Sequence, residues 1–129
     1  MSQSEEKELE FVNNSYKFFD QGFSQQFTRK INLAINDVCR GKLPGSAKIL
    51  HNLYDGVDVI EIILRKSKNK NFSMYLASLE KKVYLLHIFY QNHLKEVGDC
   101  NYDRNIIIHR CKKAFEKDQF YLYMDSLNK

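Results

Sequence analysis

The sequence predicts an α+β fold in which an N-terminal helical hairpin packs on a small antiparallel sheet and a helix ends the chain. Apolar residues recur at helical spacing through the first 40 residues and again after residue 101. Between these segments, 57–65 and 83–89 are rich in β-branched and apolar residues. Strands that are grouped together, rather than alternating with helices, are typical of α+β proteins.

The helical hairpin is predicted from two apolar stripes. Ser2 and Glu5 match a capping box, and the apolar residues that follow at helical spacing are Leu9, Val12, Tyr16 and Phe19. Ser24 is suited to cap a second helix, whose apolar face consists of Phe27, Ile31, Ala34, Ile35 and Val38. Gly41 and Pro44 are expected to end this helix.

Three strands are predicted at 57–65, 72–78 and 83–89, joined by polar turns at 67–71 and 80–82. The nearly continuous apolar run at 83–89 indicates a central strand. A last helix is predicted to start at Asp99 or Asn101, and its apolar face consists of Ile107, Cys111, Ala114 and Phe115. The tail 120–129 is compatible with a continued helix or with a short strand.

Composition indicates a globular cytoplasmic protein with one domain. The chain has 129 residues, of which 43% are hydrophobic and 28% charged. No apolar run reaches the roughly 18 residues of a membrane span, and the N-terminus does not resemble a signal peptide. Cys39, Cys100 and Cys111 form no C-x-x-C pair, so we expect reduced thiols, with Cys39 and Cys111 as small core residues.

Positive charge is concentrated in the middle of the chain. The net charge is +4, and residues 40–95 contain ten Lys and Arg residues against four Asp and Glu residues. A basic face on a small domain fits nucleic acid or an acidic partner. The alternative is an ordinary solvated surface with some excess lysine.

The candidate catalytic residues follow from the needs of RNA cleavage without a metal. That reaction requires a base for the 2′-hydroxyl, an acid for the leaving 5′-oxygen and cations for the phosphorane. The residues available near strand ends are His93, Tyr90, Lys95 and Arg65, and the candidates for binding RNA are Lys66, Lys68, Lys70 and Lys48. Tyrosines such as Tyr75 could stack bases, although strand tyrosines also serve as core residues.

Two other histidines are expected to have no catalytic role, and motifs for a metal or a cofactor are absent from the sequence. His87, within the most apolar strand, is expected to be buried and hydrogen-bonded, and His109 is expected at the surface. The sequence has no metal-ligand spacing and no glycine-rich phosphate loop, so we predict no metal and no cofactor.

Five segments in order resemble the RelE/HigB-type toxins of bacterial toxin–antitoxin systems. Residues 48–53 match K-x-L-x-x-L, 56–63 resemble G-x-x-E-[LI]-R-[IV], 72–77 resemble Y-R-V-F-Y-A, 85–92 resemble L-L-H-G-F-x-K-K, and 110–114 resemble the terminal A-x-x-R helix. The resemblance covers about residues 24–117, which would form the toxin-like core, with 1–22 as an N-terminal helical extension in place of the family's first strand.

The resemblance implies a RelE-like fold and a ribosome-dependent endoribonuclease that cleaves mRNA. Its implied partners are a cognate antitoxin, the ribosome and mRNA, with no membrane association. Several basic positions of the family carry neutral residues in this chain, namely Ser73, Gln91 and Asn92. Two alternatives therefore stay open: a binding protein on the same fold that has lost its chemistry, and a ParE-like toxin directed at gyrase.

Overall fold

The computed structural model describes residues 6–13, 15, 17, 22–67, 70–91 and 97–128, with the backbone alone for Ser67, Lys70, Tyr90, Gln91 and 97–103. In these residues five strands and two helices follow in the order β1 (Glu8–Phe11), α1 (Gln25–Cys39), β2 (Ala47–Tyr54), β3 (Val57–Ser67), β4 (Lys70–Ser78), β5 (Lys82–Gln91) and α2 (Val97–Leu127). The strands form one mixed sheet in the order β1-β5-β4-β3-β2. β1 runs parallel to β5, and the other pairs are antiparallel.

The sheet separates two hydrophobic cores. On the α1 face, side chains of the sheet that include Ile62, Met74 and Leu85 pack with the apolar side of α1. On the α2 face, Val59, Tyr84 and Leu86 belong to a second core with Ile107, Cys111 and Ala114 of α2. The predicted architecture, a helical hairpin on a small antiparallel sheet, is therefore wrong: the protein is α+β, but its five-stranded sheet is mixed and one helix covers each face.

The helix α1 forms where the sequence predicts the second helix. Ser24 is its N-cap, and its Oγ accepts a hydrogen bond from the backbone N–H of Phe27 at 3.2 Å. All five residues of the predicted apolar face are buried. The helix ends before Gly41, whose φ of +82° is the left-handed conformation that glycine adopts most readily.

The three predicted strands are present as β3, β4 and β5. β5 lies between β4 and β1 and is covered on both faces, which explains its continuous apolar run. A register shift between Tyr75 and Leu76 of β4 shows that β5 has one extra residue, because Tyr75 pairs with His87 and Leu76 pairs with Leu85. This bulge places the side chains of two successive residues, Leu86 and His87, on the α2 face.

Residues 8–11 form a strand, so the prediction of a helix through the first 22 residues is wrong. Leu9 and Phe11 alternate with Glu8 and Glu10, which is the period of a strand, and both apolar side chains pack against the core on the α1 face. β1 pairs with the outer edge of β5, which supplies the backbone partners that a four-residue strand needs. The same residues also fit a helical spacing, and their pairing with β5 is what makes this segment a strand.

The strand β2 was not predicted, and it forms a hairpin with β3. Asp55 and Gly56 both have positive φ, +48° and +81°, as in the two-residue turns that Asp-Gly favours. The side chain of Asn52 accepts a hydrogen bond from the N–H of Gly56 at 2.6 Å, and the pairing shifts between Leu50 and Tyr54. The hairpin places β2 at the sheet edge opposite β1.

The helix α2 is longer than predicted. It begins at Val97, upstream of both predicted caps, and continues to Leu127, so the tail is helical. As predicted, Cys39 and Cys111 are buried free thiols, and burial raises the pKa of Cys111 to about 11. Neither helix in the described part of the chain combines the length and the hydropathy that crossing a membrane requires.

The carboxylate of Glu10 connects β1 to β5 and α2 through hydrogen bonds and ion pairs. It accepts hydrogen bonds from Lys82 Nζ at 3.1 Å and Tyr121 Oη at 2.7 Å, and it forms an ion pair with Lys117. Partial burial by itself raises the pKa of Glu10, but these three donors outweigh that effect and lower the pKa to about 2. The charged carboxylate is therefore stabilised by the folded state.

We expect Glu10→Gln to lower the free energy of unfolding at pH 7 by about 3 kcal/mol, because a pKa that falls from 4.5 to about 2 favours the folded state by that order. A depressed pKa contributes stability above the unfolded-state value and loses it as the pH falls toward the folded-state value. Urea unfolding at several pH values should show wild type and variant converging between pH 4.5 and 2. Glu8→Gln is the control, because Glu8 is 83% exposed. A difference that is constant from pH 7 to pH 3 would contradict this role.

Candidate functional site

Four polar side chains form a row across the sheet on the α2 face. The register pairs Lys48 with Glu61, Glu61 with Tyr75, and Tyr75 with His87. Side chains directly opposite each other on antiparallel strands share a face, with Cβ atoms about 4.5–5.5 Å apart. We call Lys48, Glu61, Tyr75 and His87 the polar row.

A hydrogen bond within the polar row orients its carboxylate. The hydroxyl of Tyr75 donates to Glu61 Oε2 at 2.5 Å, the short distance typical of a bond to a charged acceptor. Tyr75 is buried, whereas Glu61 is half-buried and Lys48 is exposed. The row therefore passes from the edge of the core to solvent, and Glu61 keeps its Oε1 as an acceptor for a second donor.

The helix α2 contributes a cation to the end of the polar row. Arg110 Nη1 donates to the backbone oxygen of Leu86 at 2.9 Å and lies 3.2 Å from His87 Nδ1. Because a guanidinium only donates hydrogen bonds, Nδ1 must be the acceptor, which places the proton of a neutral His87 ring on Nε2. His87 thus combines a fixed orientation with a ring N–H that is suited to bind an anion.

Aromatic rings border the polar row. The ring of Phe89 stacks against that of His87, with centroids 5.5 Å apart, and against that of Tyr75 at 5.9 Å with an interplanar angle of 2°. Planar groups at a sheet surface next to cations are the arrangement that single-stranded nucleic acids use for base stacking.

Two further cross-strand rows continue the α2 face toward the β3–β4 turn. Ser73 lies between Ile63 and Phe89, and Asn71 lies between Arg65 and Gln91. Ser73 Oγ and Asn71 Oδ1 are buried and make no hydrogen bond within the described residues. Orphaned polar atoms of this kind call for an explanation, since an unmade hydrogen bond costs about 1–3 kcal/mol.

The charge on this part of the sheet is predominantly positive. Lys48 and Arg65 are exposed and Arg110 is half-buried, and in the polar row and the two rows beside it Glu61 is the one carboxylate among the described residues. Such a surface attracts phosphate while it retains one group that is able to accept a proton. Among the described residues, no cluster of His, Cys, Asp or Glu is suited to hold a metal ion.

The sequence-predicted residues do not all lie on this face. Lys48 belongs to the polar row, and Arg65 lies on the same face of β3. Lys66 lies on the opposite face, where its Nζ is 5.5 Å from the centre of the Phe23 ring. Lys66 is therefore separated from Lys48 and Arg65 by the sheet.

Five other predicted site residues are described in part or not at all. Tyr90 lies on β5, where its backbone pairs with that of Phe72, and Lys70 begins β4, but their side chains are not described. Lys68, His93 and Lys95 lie outside the described residues. Their proposed roles remain predictions.

Glu61, His87 and Arg110 are not among the sequence-predicted site residues, although the structure brings them together on this face. Glu61 and Arg110 entered only as positions of the family resemblance, and His87 was assigned to the core. His87 is hydrogen-bonded as expected, but it is half-buried. The missing information was cross-strand register, which determines the residue that each strand residue faces.

Comparisons with protein-family models, with curated proteins and with solved structures find no match for this chain.

Proposed function

We propose that the protein binds single-stranded RNA across the α2 face of its sheet and cleaves it without a metal ion. The observation that carries the proposal is the polar row, which combines a carboxylate, a lysine and an arginine-oriented histidine on one sheet face. Arg65 extends the positive surface, and Phe89 with its neighbouring rings provides a place for bases to stack.

The proposed reaction is an intramolecular transesterification. Glu61 accepts the proton of the 2′-hydroxyl, and the 2′-oxygen forms a bond to phosphorus while the bond from phosphorus to the 5′-oxygen breaks. Lys48 donates a proton to that leaving oxygen. The His87 N–H and the Arg110 guanidinium stabilise the negative charge on the phosphorane. The products are a 2′,3′-cyclic phosphate and a 5′-hydroxyl.

The biological setting that we propose is that of a RelE/HigB-type toxin. The protein would act in the cytoplasm on mRNA in the ribosome and would be restrained by a cognate antitoxin. The motif order between residues 24 and 117 supports this setting, and so does β1, which stands at the start of the chain where the family has a strand.

A second candidate is an RNA-binding protein of the same fold without cleavage activity. Ser73 favours it, because the family resemblance implies an arginine there and the buried hydroxyl of Ser73 has no hydrogen-bond partner among the described residues. The distinguishing experiment is inducible expression followed by mapping of mRNA 5′ ends. New 5′-hydroxyl ends during growth arrest support the nuclease, RNA binding without new ends supports the second candidate, and arrest without either points to the gyrase-directed alternative.

The role of the exposed cations is tested by the salt dependence of RNA binding. If Lys48 and Arg65 contact phosphates, replacing both by Gln should reduce the slope of log K against log salt by about 1.4, because each phosphate contact on a single strand contributes about 0.7. Filter binding of a 20-nucleotide RNA at several salt concentrations measures this slope.

The matched control is the double variant Arg29→Gln, Lys66→Gln. Arg29 lies on α1 and Lys66 is on the α1 face of the sheet, and both are exposed. This control removes the same charge and should leave the slope unchanged. If the control lowers the slope as much as the test variant, RNA is not bound on the α2 face.

A further inference from the structure

The last turns of α2 carry a stripe of exposed apolar side chains. Phe120, Tyr123, Met124 and Leu127 are 57%, 59%, 42% and 59% exposed. Their spacing of i, i+3, i+4 and i+7 places them on one side of the helix, directed away from the residues that α2 buries against the sheet. We call these four residues the α2 stripe.

Burial against the described part of the chain does not explain the α2 stripe. The buried residues of α2 end with Asp118, and every described residue from Tyr123 to Asn128 is exposed. Contiguous apolar surface at one end of a helix is typical of a site that contacts another protein.

The α2 stripe is self-complementary about a twofold axis. If two copies of α2 pack antiparallel about the point between Tyr123 and Met124, Phe120 of one copy faces Leu127 of the other, and Tyr123 faces Met124. Each aromatic ring then meets an aliphatic side chain. Gln119, Ser126 and Asn128 beside the stripe are exposed and neutral, and the exposed charged residues one turn before Phe120, Glu116 and Lys117, are of opposite sign.

A groove extends the same surface toward β1. It has a volume of about 570 Å³ and is lined by residues that include Phe11, Val12 and Phe120. In the antiparallel arrangement the second copy's Leu127 lies next to Phe120 and therefore at this groove. The stripe and the groove form one continuous surface, which would be used twice in a symmetric pair.

The exposed area argues for a reversible dimer. The exposed parts of the four stripe side chains amount to roughly 400 Å² per chain, with an aromatic side chain taken as about 200 Å². A standard interface buries about 800 Å² per partner. The area of the stripe together with part of the groove is at the low end of the range of interface areas, where transient complexes lie.

We propose that a second copy of this chain covers the α2 stripe, forming a weak symmetric dimer through antiparallel packing of the two α2 helices. The dimer leaves the polar row of each copy outside the interface, since the row lies on strands β2 to β5 and the contact is made by the C-terminal turns of α2.

Sedimentation equilibrium of the full chain from about 10 µM to 1 mM tests the proposal. The average mass should rise from 15.3 kDa toward twice that value. Tyr123→Lys places two like charges next to the twofold axis and should raise the dissociation constant at least tenfold. Leu33→Lys is the matched control, because Leu33 is an apolar residue with 60% exposure on α1, and it should leave the dissociation constant unchanged.

Cross-linking provides the geometric test. In a Cys100→Ser background, the cysteine introduced by Met124→Cys lies near the twofold axis. Under mild oxidation it should form a disulfide with the same cysteine of the second copy, whereas Leu33→Cys should form no such disulfide. A wild-type mass of 15.3 kDa at every concentration would overturn the proposal. So would an equal loss of association in the Tyr123→Lys and Leu33→Lys variants, or equal cross-linking of the two cysteine variants.

Discussion

Glu61→Gln is expected to lower the rate of RNA cleavage by about 10²–10⁴, the usual effect of removing a general base. Glutamine preserves the shape of the side chain and an oxygen that is able to accept the hydrogen bond from Tyr75. It has no basic oxygen that takes a proton from the 2′-hydroxyl. RNA affinity should change little, because binding depends on the cations around the row rather than on Glu61.

The measurement is single-turnover cleavage of a 5′-labelled RNA, under whichever conditions, ribosomes included, support wild-type activity. Glu116→Gln is the matched control, since Glu116 is an exposed carboxylate of α2. Tyr75→Phe removes only the bond that orients Glu61 and should cost less than Glu61→Gln. His93→Ala belongs in the same series, because His93 is the sequence-predicted acid or base. Full activity of Glu61→Gln together with a large loss in His93→Ala would assign the proton transfer to His93, which follows β5 in sequence, rather than to Glu61.

Asp118→Ala is expected to lower the free energy of unfolding by about 3–5 kcal/mol, because three partly or fully buried donors lose their acceptor and each unsatisfied donor costs about 1–3 kcal/mol. The carboxylate is 2% exposed and accepts three hydrogen bonds: from the N–H of Glu80 at 3.0 Å, from the N–H of Lys81 at 2.9 Å and from Tyr84 Oη at 2.8 Å. Burial and the neighbouring carboxylate of Asp118 raise the pKa of Tyr84, so its hydroxyl remains a donor. Alanine leaves all three donors without an acceptor.

Urea unfolding monitored by circular dichroism measures this effect. Asp118→Asn, which retains one oxygen, should lose less stability than Asp118→Ala. The control is Asp125→Ala on the same helix. Asp125 is 50% exposed and pairs with Lys81 at the surface, where an ion pair contributes about 0–1 kcal/mol. Equal losses for Asp118→Ala and Asp125→Ala would show that α2 does not hold the β4–β5 turn through this carboxylate.

Elements with local signals could be predicted from the sequence. The helix α1 has a capping serine, a complete apolar face and a glycine after its end, and β3 to β5 have β-branched or continuous apolar runs. These signals act within one element, so that no knowledge of the partner strands is needed. The Asp55-Gly56 dipeptide is a similar local signal, which indicates the hairpin turn between β2 and β3.

Local signals alone could not decide whether the N-terminal segment forms a strand or a helix. Residues 8–11 satisfy both a helical and a strand pattern, and a strand of four residues has no stability of its own. β1 exists because β5 presents an open edge and because Glu10 meets Lys82, Lys117 and Tyr121. These contacts join residues that are more than 70 positions apart in sequence.

What the sequence by itself determined is the type and position of α1 and of β3 to β5, together with the excess of basic residues around them. What only the tertiary structure decided is which of those residues face one another. The shift between Leu50 and Tyr54 places Lys48 opposite Glu61, and the bulge in β5 turns His87 from the α1 face to the α2 face, beside Tyr75 and Arg110. Side chains on a strand alternate between the two faces of the sheet. A register change of one residue therefore moves a side chain to the other face, and a change of two residues gives it a different cross-strand partner. These changes determine which groups form the polar row.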